Sequence, residues 1–276
     1  MLEIKFNTNE KVNFLNINTF SIQKKIPIYI ILKQAFDQDA LIDKEKQILF
    51  NFIQHIKSLK NYRSQIFQDL FASFVIDKNF QNTFLEFGAT NGIELSNTFM
   101  LEQELGWSGT LAEPDIQWID QLKKNRPKSK IITKCIWKNS DEKLNFFSSS
   151  HGVLSTLDQF KLSDQETLPK NVNDRLKSGE NIIVETISLN DLIKKFLNEK
   201  CPSYISIDTE GSEFEILNAF DFSKYFPALF TVEHNFTKLE KKIDKLMISN
   251  GYTRIFRDLT SVDAWYLSPI AMDKLR

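Results

Sequence analysis

Thr83-Phe84-Leu85-Glu86-Phe87-Gly88-Ala89-Thr90-Asn91-Gly92 (TFLEFGATNG) begins as an apolar run and ends in a loop holding two of the chain's eight glycines. The apolar half predicts a buried strand over 83–87, and the glycines predict a sharp exit from it. A turn needs one glycine; a second, directly behind an acidic residue, suggests backbone passing close to a ligand. The loop reads G-A-T-N-G and lacks G-x-G-x-x-G, which counts against NAD, whose pyrophosphate needs close backbone approach at a helix N-terminus. An E-x-G-x-x-x-G loop suits a nucleoside ligand without phosphates. An ordinary strand-to-helix turn explains these residues almost as well, so the neighbouring segments must decide.

Outward from this stretch, strands and helices alternate. Strand 83–87 leads to a helix near 96–105, strand 109–113, a helix near 115–125 and strand 130–136. A polar interval around 148–180 lacks periodicity and predicts an excursion beside the site. Strand 181–187, helix 189–199, strand 203–208, helix 212–220, strand 228–234 and helix 237–249 follow. Strands 252–257 and 262–267 have no helix between them and read as a hairpin. This order predicts a doubly wound, mostly parallel sheet with one antiparallel strand at or near an edge. Ahead of it, residues 1–36 suggest an edge strand or hairpin. Helical spacing covers Asp37 to Leu59, and a second helix covers Ser64 to Ile76, with Ser64 as its N-cap.

The 276 residues carry a formal net charge of −1 and 42% hydrophobic residues, including 24 phenylalanines. That supports a sizeable core and gives no net attraction to nucleic acid or an anionic membrane. No apolar run is long enough for a membrane span. Cys135 and Cys201 match no zinc spacing and have no paired base in sequence, so no nucleophilic role is assigned; a reducing cytoplasm fits them.

In such sheets ligands bind beyond the carboxyl ends of the strands, and four strand ends here carry polar residues. The first is Glu86 to Gly92. The second is Glu113-Pro114-Asp115, where Glu113 sits at the spacing that reaches a ribose diol and Asp115 suits a helix cap. The third is Asp208-Thr209-Glu210-Gly211, whose carboxylates can hold a proton, position a hydroxyl or bind a divalent cation. The fourth is Glu233-His234-Asn235, where acidic neighbours raise the candidacy of His234 as base or ligand. Each has a bland reading as a helix cap or solvated turn; the run of all four is the strongest signal in the sequence.

Together these segments resemble the FkbM-type methyltransferases, which use S-adenosylmethionine (SAM). The resemblance covers residues 64–268 and rests on Ser64-Gln65 with Gln68-Asp69, FLEFGATNG, LSNTFMLEQELGWSGTLAEPD, SLNDLI, YISIDTEGSEFEIL, TVEHN and the late GY. It implies a class I methyltransferase fold: Rossmann-like, doubly wound α/β, with a mostly parallel seven-stranded sheet and a reversed terminal strand. Against that count the periodicity gives one strand too many, and 181–187 is the doubtful member. Residues 1–62 become an N-terminal extension, and 63–276 the SAM-binding domain. The resemblance further implies that Glu86, Phe87, Gly88, Ala89, Thr90, Asn91 and Gly92 form the cofactor loop, anchored by Glu86, with both glycines permitting close passage of the cofactor. Glu113 and Pro114 would meet the ribose, Ser96, Asn97 and Thr98 the methionine end, and Cys135 and Ile136 the adenine. Asp208 would face both methionine and acceptor.

Methyl transfer to oxygen needs in-line alignment and loss of the acceptor's proton. Asp208, Glu210 and His234 are the catalytic candidates. His234 as base, or a Mg²⁺-type site through Asp208, Glu210 and His234, both stand at this point. The resemblance implies O-methylation of a small molecule or glycan, with His151 and Ser155 in HGVLSTL as further acceptor-side candidates whose bland reading, a solvated loop, is the stronger. Two competing readings are a SAM-fold scaffold without turnover, docking through residues 1–60, and another nucleotide-dependent enzyme on the same fold. Trp107 and Trp265 read as core anchors, and Lys123-Lys124 and Lys241-Lys242 as solvated helix faces.

Overall fold

The computed structural model describes residues 3–8, 11–16, 28 and 41–275. The remainder of the expected strand or hairpin over 1–36, and the expected first turn of helix at 37–40, lie outside the described residues.

In chain order the elements are β1 (Glu3–Thr8), β2 (Lys11–Asn16), α1 (Asp43–His55), α2 (Gln68–Val75), β3 (Thr83–Phe87), α3 (Phe99–Gln103), β4 (Ser108–Ala112), α4 (Ile116–Asn125) and β5 (Lys130–Ile132). Then come β6 (Cys135–Trp137), β7 (Lys143–Ser149), β8 (Thr156–Leu157), α5 (Pro169–Leu176), β9 (Gly179–Ser188), α6 (Leu189–Phe196) and β10 (Tyr204–Ile207). The chain closes with α7 (Glu213–Asn218), β11 (Leu229–Glu233), α8 (Leu239–Ser249), β12 (Thr253–Ile255), β13 (Asp263–Leu267) and α9 (Pro269–Lys274).

Seven strands form the main sheet in the order β12-β13-β11-β10-β3-β4-β5. All run parallel except β13, which is antiparallel to both β11 and β12 and slots between them. The strand order reverses where β3 meets β10, so the crevice there is the topological switch point.

Side-chain alternation assigns the two faces. Phe84, Leu111, Tyr204, Leu229, Trp265 and Leu267 pack on one side, in the same core as Ile48, Leu49, Phe52 and Ile53 of α1 and Leu70 and Phe71 of α2. Leu85, Phe87, Ile205, Ile207, Phe230, Val232 and Tyr266 pack on the other, against α6, α7 and α8. Trp265 stacks on Phe71 with ring centroids 4.6 Å apart, and Trp107 is buried in the same core.

Two expectations change. Ser64 does not cap α2: its hydroxyl donates to Asp69 at 2.6 Å, and the helix begins only after Phe67, which takes φ 74°. The strand expected over 130–136 is two strands, because β5 leaves the main sheet after Ile132 and β6 pairs parallel with β9 elsewhere. That second sheet, ordered β6-β9-β7-β8, takes up 181–187 and leaves seven strands in the first. It has its own small core of Cys135, Trp137, Phe146, Leu157 and Val184. Among the described residues no helix is long and apolar enough to cross a membrane.

Candidate functional site

A cavity of about 350 Å³ opens at the carboxyl ends of the central strands, within the size range of small-molecule sites. Glu86, Phe87 and Gly88 after β3, Glu113 and Pro114 after β4, Asp208 to Glu210 after β10, and Glu233 and Asn235 after β11 all line it. Its far wall comes from the second sheet and the polar excursion: Cys135, Ile136, Phe146, Gly152 to Ser155, Leu157, Leu168 and Asn171. Four non-glycine residues of the wall hold left-handed backbone: Thr90, Leu95, Glu210 and Asn235. Strain of this kind concentrates where a tight loop must present a side chain to a ligand.

Glu86 is buried, and its hydrogen bonds go further along the chain than its own loop. It accepts from Ser96 Oγ at 3.0 Å, from the Asn97 amide at 2.8 Å and from Thr98 Oγ1. Burial raises its pKa, and Arg126 at 4.0 Å is the largest opposing influence. Arg126, fully buried, also donates to the Gly92 carbonyl at 3.1 Å, Ser96 Oγ at 3.2 Å and Glu102 at 3.1 Å. It ties the glycine loop to the 96–98 segment. Sequence reading passed it over, because a lysine-rich helix end gives no hint of a buried guanidinium.

The two glycines serve the protein's own packing. A Cβ on Gly88 would lie 2.1 Å from the Asp208 carbonyl oxygen, and one on Gly92 would lie 2.6 Å from Arg126 Cγ. Both have positive φ, at 69° and 77°. Close passage between neighbouring strand ends, and around Arg126, therefore explains them without a cofactor. Of the expected cofactor loop, Glu86, Phe87, Gly88 and Thr90 line the cavity, while Ala89, Asn91 and Gly92 lie behind that lining. Asn91 instead accepts from the amides of Ile93 and Glu94, closing the turn.

Glu113 holds the glycine loop in place. It accepts from the Thr90 amide at 2.8 Å and from the Asp115 amide at 2.8 Å. Burial pushes its pKa up to about 7 against those bonds. Asp115 accepts from the Gln117 amide, the N-cap role expected of it. Cys135 borders the cavity, but burial and then Glu113 push its thiol up to about 12, so it stays protonated.

On the other side of the cavity Asp208, Glu210 and Glu233 converge, with one carboxylate oxygen from each within 4.8 Å of the others. At an effective dielectric constant of 20, two unit charges at that separation repel by about 3.5 kcal/mol. Burial raises all three pKa values. Repulsion from Glu210 adds to it at Asp208, and repulsion from Asp208 and Glu210 adds to it at Glu233. Glu210 reaches about 8, through burial first, with Arg175 opposing it and Asp164 and Glu213 adding to it. Ionising all three requires a compensating cation. Arg175 supplies one charge: fully buried, it reaches Glu210 Oε2 at 2.7 Å and Asp164 at 2.7 Å, and donates to the Leu154 carbonyl at 2.8 Å. The same guanidinium thus fixes Glu210 and the excursion that walls the cavity.

His234 does not join this group. Thr231 and Glu233 continue the parity of Leu229 on β11, and His234 falls on the opposite parity. Its Nδ1 accepts from the Phe236 amide at 3.0 Å, and its Nε2 lies 3.3 Å from Arg254. Burial first, and the Arg254 charge with it, lower its pKa despite Glu240, leaving a neutral imidazole outside the cavity wall. Glu233, one position earlier, takes the place expected of it. Counting in twos from Leu229 would have picked it. Of the acceptor-side candidates Ser155 lines the cavity, while His151 is exposed and does not.

These residues fit SAM. A buried strand-end carboxylate suits a diol, an apolar flank of Ile136 and Phe146 suits a purine, and the acidic wall suits a sulfonium and an ammonium. The model for the methyltransferase FkbM domain matches residues 86–254. No curated protein matches the chain. Among solved structures it is similar to an O-methyltransferase from Bacillus cereus in complex with SAH (12% identity, 92% of this chain and 100% of that one, TM-score 0.39). It is also similar to a putative caffeoyl-CoA O-methyltransferase from Staphylococcus aureus (11%, 87% and 98%, 0.40) and a precorrin-6y C5,15-methyltransferase from Geobacter metallireducens (11%, 71% and 76%, 0.36).

Proposed function

The chain belongs to the methyltransferase FkbM domain family, a SAM-dependent class with the class I methyltransferase fold, and on that premise we propose that it methylates a hydroxyl of a sugar, glycan or other small molecule. The observation that carries this reading is the pairing, across one cavity, of a buried diol-type carboxylate, Glu113, with the acid group Asp208, Glu210 and Glu233.

When bound, SAM supplies an electrophilic methyl group on a sulfonium. Glu113 would accept from the ribose hydroxyls. Glu86 holds Ser96 and Asn97 at the cavity edge, and Cys135 and Ile136 would flank the adenine. Asp208 would orient the acceptor hydroxyl, and a carboxylate of the acid group would take its proton. A divalent cation such as Mg²⁺ belongs to this reading as a means of easing that deprotonation. The reading also makes the acceptor a small molecule or glycan with no nucleic acid involved, and the setting a reducing cytoplasm in keeping with the free thiols of Cys135 and Cys201. Residues 1–62 are taken as an N-terminal extension whose helix α1 completes the core of the domain, 63–276.

The test is isothermal titration of the full chain and of Glu113→Ala with SAM, followed by transfer of labelled methyl to a panel of hydroxylated glycans. Saturable SAM binding that weakens in the variant is expected, as is turnover lost in Asp208→Asn and retained in His234→Ala. No SAM binding at millimolar ligand would remove the methyltransferase proposal.

A further inference from the structure

We propose that Asp208, Glu210 and Glu233 form a binding site for one divalent, oxygen-preferring cation of the Mg²⁺ or Mn²⁺ class on the acceptor side of the cavity. Three carboxylates contribute one oxygen each, and these oxygens lie within 4.8 Å of one another. A cation bound at metal–oxygen distances of about 2.0–2.6 Å holds its donors roughly 3–5 Å apart, so this convergence matches donors around a single ion.

A second observation is independent of the clustering. Glu233 is 8% exposed, and its Oε2 is buried with no hydrogen-bond partner. Buried polar oxygens are almost always paired, and a carboxylate oxygen most of all. This one belongs to a residue of the cavity wall that also meets Asp208 and Glu210. The Asp208 and Glu233 carboxyls also lie within hydrogen-bonding reach of each other, so a bound cation would take the place of the proton that this pair otherwise shares.

The donor set also selects the ion. It is all oxygen, with no thiol or imidazole: Cys135 is on the opposite flank, and His234 is engaged by the Phe236 amide and Arg254. Hard cations prefer such a set, while zinc and copper favour nitrogen and sulfur. Arg175 holds Glu210 from behind, so that carboxylate is oriented before an ion arrives. The ion's role in methyl transfer rests on the reading of the cavity given above; its binding does not.

The experiment is titration of the full chain with Mn²⁺, read by the loss of the free-ion electron paramagnetic resonance signal, with Mg²⁺ added afterwards as competitor. Variants are Glu233→Gln and Asp208→Asn, which keep shape and lose charge, with His234→Gln for comparison. Wild type and His234→Gln are expected to bind one Mn²⁺ that Mg²⁺ displaces, and the two carboxylate variants to bind at least about tenfold more weakly. Circular dichroism and a cooperative thermal melt of each variant report that the fold is intact. Undiminished Mn²⁺ affinity in Glu233→Gln, or no bound Mn²⁺ in wild type at millimolar ion, overturns the site. Failure of wild type to bind SAM or SAH would instead remove the methyltransferase proposal and leave the ion result standing.

Discussion

Gly88 and Gly106 share the same backbone angle, φ 69°, and differ in what surrounds them, which makes a controlled comparison. An alanine at either site bears the cost of left-handed backbone, about 1–2 kcal/mol. Part of that, about 0.4–1 kcal/mol, returns because the unfolded chain loses freedom. At Gly106 nothing lies within 4 Å of the new methyl, so the net cost should be about 1 kcal/mol. At Gly88 the methyl would sit 2.1 Å from the Asp208 carbonyl oxygen, and relief requires β3 and β10 to part by over an ångström. Overpacking of that kind adds about 1–3 kcal/mol, for a total of about 2–4 kcal/mol. In a chain of this size each kcal/mol lowers Tm by about 2–4 °C, so Gly88→Ala should melt about 4–16 °C below wild type and Gly106→Ala about 2–4 °C below. Differential scanning calorimetry, with SAH titration alongside, measures both. Equal melting of the two variants would refute the claim that Gly88 is required by its neighbouring strand.

Affinity for SAM should fall with acidity about tenfold per pH unit below 7. The cause is that burial raises Glu113 to about 7, so a proton occupies it below that pH, whereas ribose hydroxyls donate to its ionised form. Titrations across that range should show the slope in wild type and lose it in Glu113→Gln. Removing the buried cation with Arg175→Met should cost about 3–5 kcal/mol in urea unfolding, because Glu210 and Asp164 are left buried without it. Adding Glu210→Gln should restore part of that loss, and additive effects would show the pair to be uncoupled. Phe52→Ala should cost about 3–5 kcal/mol, since its ring is buried 5.3 Å from that of Phe71; an unchanged Tm would mark α1 as separable from the domain.

Strands β3, β10 and β11 were legible because each is a buried apolar run closed by acidic or glycine residues, whereas β7, KLNFFSS, carries no such signal and no strand was expected there. Sequence cannot show which strands pair, and so 181–187 reads as one more parallel strand until β7 is found to claim it. Cavity residues at strand ends were equally legible: Glu86, Gly88, Glu113, Asp208 and Glu210 all line the wall. The geometry departs from expectation where a residue type stood in for a position. Histidine at 234 attracted the catalytic role although alternation favours Glu233, and Gly92 was credited to a ligand although Arg126 fills the space beside it. Arg126 and Arg175 were invisible for a further reason. Each is defined by partners more than ten residues away in sequence, and only the tertiary fold buries a charge that composition reports as surface.

The guanidinium of Arg175 also constrains what can be exchanged. One half of the cavity stands on the rigid strand ends of the main sheet, and the other is a detour in the chain, an obvious place to transplant acceptor preference from one relative to another. The two halves share a buried charge, however, so a foreign segment lacking an arginine at that depth would leave Glu210 facing two carboxylates with no counter-charge. A working chimera must carry the ion pair with the wall, moving Asp164 and Arg175 together or replacing Glu210 in the same step.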